Sequence, residues 1–217
     1  MWRDAGADVV EINAWNHPVP PIVDADALVV LGGSMSCQDD AEAPWLAPTR
    51  QLISRTVRAG TPFLGICLGH QLATVALGGQ VCTSDHFCLG AAEMHLTPEG
   101  KKDPLLSVYD GHRGIHFNND VAVVLPEDAV LLARDPTGQI EAVRFAERAW
   151  GVQFHPECTP EIFDAWTIGH GEKEWQQRLP WSEAVTVAET VRRDIDTVNA
   201  EEAFAARFQE LIDPEKR

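Results

Sequence analysis

In Thr61-Pro62-Phe63-Leu64-Gly65-Ile66-Cys67-Leu68-Gly69-His70-Gln71-Leu72, a short apolar run breaks at a cysteine and gives way to a helical composition. Phe63 to Ile66 has the length and character of a buried parallel strand, and Leu68 to Leu77 that of a helix ended by Gly78-Gly79. Cys67 then occupies the turn between them. Gly65 and Gly69 leave room around a turn that, in strand-turn-helix nucleophile sites, is sharp and strained. A residue there projects above the C-terminal edge of the sheet. A thiol ordinarily ionises near pH ~8.5, and a helix N-terminus or an adjacent imidazolium brings such thiols into the range of roughly 3.5 to 7.5. An isolated cysteine in an apolar run would read as a packed core residue. The GxCxG context between strand and helix points to a nucleophile instead.

A base is found in Gly151-Val152-Gln153-Phe154-His155-Pro156-Glu157. Pro156 keeps this segment extended, so His155 and Glu157 present their side chains to one face and the carboxylate can orient the imidazole. The order Cys67, His155, Glu157 follows the nucleophile, base, orienter logic of catalytic triads. His70 is a rival base on the helix that follows Cys67, but no acidic residue stands near it in sequence to fix its tautomer.

With Leu31-Gly32-Gly33-Ser34-Met35-Ser36 upstream, these segments resemble the class I (triad) glutamine amidotransferases in motif, order and spacing, over about Asp8 to Trp166. The resemblance implies an α/β fold: a doubly wound, mostly parallel, flavodoxin-like central sheet with helices on both faces and a few added antiparallel strands. It implies hydrolysis of the glutamine side-chain amide, or of a related γ-glutamyl bond, through a cysteinyl thioester, with no metal or organic cofactor. Gly33 and Leu68 resemble the backbone donors of the oxyanion hole, and Gln71 a contact to bound glutamine. Asn118 and Asn119 stand where relatives carry a histidine-glycine pair whose backbone holds the amino-acid end of the substrate. Ser34 replaces the proline of many members. The family also implies a synthetase partner that takes up the ammonia. The alternatives are a γ-glutamyl peptidase and a non-catalytic regulatory subunit.

The whole chain sets outer limits. It has 217 residues, 45% hydrophobic and 23% charged, which suits one domain with a well-filled core and a helical extension from about residue 160. Seventeen basic against thirty-three acidic residues, a net charge of -16, argue against nucleic acid or an anionic membrane as partner. No apolar run approaches the ~18 residues of a membrane span, and no signal peptide opens the chain, so a cytoplasmic location is expected. Cys37, Cys67, Cys82, Cys88 and Cys158 form no disulfide framework, and Cys82, His86 and Cys88 lack the fourth ligand and spacing of a zinc site.

Asp8–Ile12 and Ala27–Leu31 read as parallel strands and Pro44–Ala59 as a helix stopped by Gly60. Ala92–Leu96, Gly114–Phe117, Ala129–Arg134, Ile140–Phe145 and Ala149–Phe154 are further strand candidates. Toward the C-terminus, Ala184, Ala188, Val191, Ile195 and Val198 fit one helical stripe, and Asn199 with Glu202 resembles a capping box. Phe204, Phe208 and Leu211 give the last helix an apolar side; Trp166, Trp175 and Trp181 are packing anchors. Met1–Gly6 reads as the tail of a helix, as though a strand and most of that helix belonged upstream.

Overall fold

A computed structural model describes residues 1–167, 180–198 and 200–212. In chain order its elements are β1 (Leu28–Val30), α1 (Leu46–Arg58), β2 (Phe63–Ile66), α2 (Leu68–Ala76), β3 (Gln80–Glu93), β4 (His95–Leu96), β5 (Arg113–Val124), β6 (Val130–Arg134), β7 (Ile140–Ala146), β8 (Ala149–Val152), α3 (Pro160–Trp166), α4 (Trp181–Val198) and α5 (Glu201–Ile212). One sheet runs β1-β2-β8-β7-β6-β4, and β3 pairs with β5 in a separate ribbon. β1, β2 and β8 are parallel; the pairings of β7 with β8, β6 with β7 and β4 with β6 are antiparallel. This is the expected α/β class, with a mixed central sheet.

Strand alternation explains why both faces are covered. Leu64 and Ile66 of β2, with Trp150 and Val152 of β8, join a core closed by Phe204 and Phe208 of α5. Phe63 and Ala149 turn the other way, onto Leu46 and Ile53 of α1 and Leu68 and Leu72 of α2. Leu46, Leu52 and Ile53 of α1 are buried, and Gly60, at φ +73°, stops the helix as the sequence suggests. On α4, Ala184, Ala188 and Val191 are buried as the stripe requires. The side chains of Ile195 and Val198, together with Asn199 and Trp175, lie outside the described residues.

Several boundaries differ from the sequence reading. Asp8–Ile12 forms no strand, and Val10 and Ile12 are 83% and 49% exposed. Its composition suits a strand, but it pairs with no described strand, and β1 is left as the edge of the sheet. Met1–Gly6 makes a turn, with Ala5 N–H donating to Met1 O at 3.0 Å. Ala92–Leu96 is divided at Met94, β3 ending before it and β4 starting after it, because the two halves pair with different sheets. β8 stops at Val152, two residues short of Phe154. The long β3–β5 ribbon was not legible, since Gln80–Glu93 lacks alternation.

Candidate active site

The turn at Cys67 is as tight as the glycines around it suggest. A Cβ on Gly65 would lie 2.5 Å from Gly69 O, and one on Gly69 would lie 2.0 Å from Val30 O, so α2 is drawn down onto β1 and β2. Cys67 itself sits at φ 52°, ψ -107°, the one non-glycine positive φ among the described residues. Such a conformation costs about 1–3 kcal/mol and persists only where the surroundings impose it. Cys67 N–H donates to Val152 O at 2.8 Å, and Cys67 O accepts from Gln71 N–H at 3.0 Å, so the turn is tied to β8 below and α2 above.

β8 delivers the second group. His155 is 4% exposed, and its backbone N–H donates to Ile115 O at 2.8 Å. Its Nδ1 donates to Glu157 Oε1 at 2.7 Å, as the extended His-Pro-Glu segment requires. Nε2 forms no aligned hydrogen bond at rest. Burial pushes the imidazole down, but the charges of Glu157 and of the Cys67 sulfur outweigh it and raise its pKa to about 10. Trp166 covers the ring with centroids 4.5 Å apart, a packing role at the edge of the site. Behind it, His116 Nε2 meets Glu141 Oε2 at 2.6 Å in a pair with both side chains 2% exposed. The charge of Glu141, against the effect of burial, holds His116 above its ordinary pKa.

His70 is not placed as a base. It is fully buried against Phe145, neither ring nitrogen has a partner, and burial pushes its pKa down to about 4.

A cavity of about 470 Å³ opens beside Cys67. Gly33, Gln71, Asn118 and Asn119 line it, together with Asp85, Phe87 and Asp120. Gly33 packs so closely on α2 that its Cβ would lie 2.8 Å from Leu68 Cδ2, and Gly33 lines the cavity while Leu68 follows Cys67 in the chain. Leu68 points its side chain into the core. The Asp120 carboxylate accepts from Ser36 Oγ at 2.5 Å and Thr83 Oγ1 at 2.9 Å, pinning the glycine-rich turn to the β3–β5 ribbon. Gln71 Nε2 donates to Asp120 O at 2.9 Å and to Gln153 Oε1 at 3.3 Å, while Asn118 Nδ2 donates to Asp120 O at 3.2 Å. Gly32 is equally constrained: its Cβ would lie 2.9 Å from His155 Cε1 and 3.6 Å from Cys67 Cβ.

Two thiols outside the elbow are shifted upward. Burial raises Cys37 to about 11, with the Asp120 charge adding to it, and burial raises Cys88 to about 11, with Glu141 and Asp135 adding. No group of three or more His, Cys, Asp or Glu side chains is placed to hold a metal among the described residues. No described helix is long and apolar enough to cross a membrane.

The family model for glutamine amidotransferase class-I matches residues 3–169. The chain belongs to this family. It is 32% identical over 161 residues to the glutamine amidotransferase-like protein YfeJ of Salmonella typhimurium, spanning 72% of this chain and 66% of that one. It is 30% identical over 153 residues to a subunit of the glutamine-hydrolyzing GMP synthase of Halobacterium salinarum, spanning 69% of this chain and 76% of that one. The GMP synthase of Tolumonas auensis is much longer, and the chain spans 38% of it. Among solved structures, SMU.1228c superposes with a TM-score of 0.79 at 25% identity over 97% of this chain and 90% of that one. A glutamine amidotransferase from Thermotoga maritima does so at 0.70 and 21% identity, covering 87% and 78%.

Gln153 was missed in the sequence. It is fully buried, and its Nε2 donates to Cys67 Sγ at 3.6 Å. A lone uncharged polar residue inside the apolar run Trp150–Phe154 was the available signal.

Proposed function

We propose that this amidotransferase-family chain hydrolyses the side-chain amide of glutamine, releasing ammonia, with Cys67 as nucleophile. The observation that carries this reading is the strained Cys67 turn beside an imidazole held at 2.7 Å by Glu157. In this reading the reacting pair is imidazolium and thiolate, with the His155 imidazole, raised to about 10, as the proton donor beside the sulfur. The sulfur attacks the amide carbon, and the carbonyl oxygen becomes an oxyanion held by the Gly33 and Leu68 N–H groups. The tetrahedral adduct expels ammonia as His155 Nε2 gives its proton to the leaving nitrogen. His155, now neutral, takes a proton from water, the hydroxide adds to the thioester, and glutamate leaves as the thiolate returns. Proton and charge are restored after one cycle.

The amino-acid end of the substrate is assigned to the cavity wall at Gln71, Asn118 and Asn119. Both N–H groups of the Gln71 amide are committed within the protein, so its oxygen is the atom left to accept from the substrate ammonium. Residues 1–217 are taken as one glutaminase unit with its helical extension. A separate synthetase-type protein is the proposed consumer of ammonia; the Halobacterium relative is named as a synthase subunit.

A γ-glutamyl amide larger than glutamine is a second reading, favoured by the cavity of about 470 Å³. Glutamine has ten non-hydrogen atoms, and at no more than the ~30 Å³ of a water molecule each they occupy under about 300 Å³. Competition decides between the two. Equal concentrations of glutamine and a γ-glutamyl alkylamide are offered to the purified chain, and ammonia and alkylamine are counted. Glutamine is expected to be consumed at least tenfold faster; faster release of alkylamine would transfer the assignment to a γ-glutamyl hydrolase.

A further inference from the structure

Gln153 is committed at every polar atom of its side chain that the site can reach. It lies one residue beyond β8 on the path to His155, and its backbone N–H donates to Glu141 O at 2.8 Å. Its side-chain oxygen accepts from Gln71 Nε2 at 3.3 Å, and its side-chain nitrogen donates to Cys67 Sγ at 3.6 Å. The orientation of this amide follows from its neighbour. Gln71 spends its two N–H groups on Asp120 O and Gln153 Oε1, so a flipped Gln153 would set one NH2 group against another. A row of amides thus runs from the cavity wall at Asp120 to the sulfur: Gln71 Nε2 donates to Asp120 O on one side and to Gln153 Oε1 on the other, and Gln153 Nε2 donates to Cys67 Sγ.

A fully buried amide is a costly way to fill a core position unless its bonds serve a purpose. Donation to a neutral thiol is weak, while donation to a thiolate is charge-assisted and roughly twice as strong as a neutral bond. A donor of this kind favours the charged form of its partner.

We propose that Gln153 is a catalytic hydrogen-bond donor to the Cys67 sulfur, stabilising the thiolate at rest and again as it leaves the thioester, with Gln71 fixing the direction of the donor. The bond weakens while sulfur is acylated and uncharged, and it re-forms as the acyl–sulfur bond breaks. Gln153 keeps both protons throughout. Gln71 therefore has two duties, one toward the substrate and one toward the nucleophile. This proposal rests on the reading of Cys67 as the nucleophile.

The test compares the pH profile of iodoacetamide labelling at Cys67, read by peptide mass spectrometry, in wild type, Gln153→Met and Gln71→Met, with a melting curve for each. Methionine keeps the volume and removes the donor. The labelling midpoint should rise by about one pH unit in Gln153→Met, since hydrogen bonds to charged groups are of that order. A smaller rise in the same direction is expected in Gln71→Met, whose Gln153 is free to turn. A packing role would lower the melting temperature and leave the midpoint in place; a folded Gln153→Met with an unmoved midpoint overturns the proposal. The wild type provides a second readout that needs no variant to fold. Its Gln153 side-chain N–H resonances should titrate together with Cys67 labelling and shift when Cys67 is alkylated; resonances indifferent to both also overturn it. If wild-type Cys67 neither labels selectively nor supports glutamine turnover, it is the nucleophile reading that fails, and the proposal with it. Turnover and selective labelling with an unmoved midpoint would fault the Gln153 proposal alone.

Discussion

Replacing Glu157 by Gln should leave the protein folded and nearly inactive. The imidazole of His155 is raised from 6.5 to about 10, which at ~1.36 kcal/mol per unit is on the order of 5 kcal/mol between its two protonation states. Glu157 and Cys67 share the raising effects, so removing the Glu157 charge forfeits roughly 2–3 kcal/mol. If that is lost from the step in which His155 carries positive charge, kcat/KM falls about a hundredfold. Glutamine in place of glutamate retains an oxygen for Nδ1–H, so only the charge is removed. Glu157 is also partly exposed, and losing about 2–3 kcal/mol from the folded state should lower the melting temperature at pH 7 by at most about 4–12 °C, at about 2–4 °C per kcal/mol for a chain of this size. The linkage has a definite sign. A histidine whose folded-state pKa is raised contributes stability that is fully present below 6.5 and is lost as pH rises toward about 10. Glu157→Gln should therefore flatten the stability profile across that window. Steady-state glutaminase assays, urea melts from pH 6 to 10 and the His155 ring-proton titration measure these effects. Wild-type turnover in the variant, or a His155 midpoint that does not fall, would refute the assigned role of Glu157.

Gly32→Ala should lower kcat/KM by about ten- to a hundredfold with the fold intact, because its Cβ would press on His155 Cε1 at 2.9 Å; full activity would show that the ring yields without loss of alignment. His70 supplies an acid-stability prediction of opposite sign to that of His155. Its folded pKa is pushed down to about 4, so the unfolded chain binds the proton first, and stability declines as pH drops from 6.5 toward 4 by up to about 3 kcal/mol. His70→Leu should remove that part of the slope in urea melts at pH 4.5 and 7, whereas identical slopes would mean that His70 is solvated when the protein is folded.

The tight turn at Cys67 was legible because its cause is local. Gly65 and Gly69 permit the approach of α2 to β2, and the apolar run before Cys67 announces the strand. His155 and Glu157 were legible for a similar reason, since proline fixes their common face. What escaped depends on neighbours remote in sequence. Asp8–Ile12 has a strand-like composition but no partner, and no property of the segment itself reveals that. The three extra residues that β3 inserts between its pairings Thr83–Asp120 and Cys88–Asn118, which bring Asp85 and Phe87 to the cavity, follow from register rather than composition. Asn118 and Asn119 were expected at the substrate end, and both reach the cavity wall. The Gln71–Gln153–Cys67 row joins residues 82 and 86 positions apart, and was visible in advance only as a polar residue inside an apolar run.

The central claim is that Cys67 carries a covalent γ-glutamyl intermediate. The most direct test is to incubate the purified chain with a γ-diazoketone analogue of glutamine, which alkylates a nucleophile seated at the amide carbon, and to map the adduct by mass spectrometry. One equivalent of adduct is expected, on Cys67 alone, prevented by excess glutamine and absent from Cys67→Ala. Adduct spread over Cys37, Cys82, Cys88 and Cys158, or equal labelling with and without glutamine, would contradict the claim.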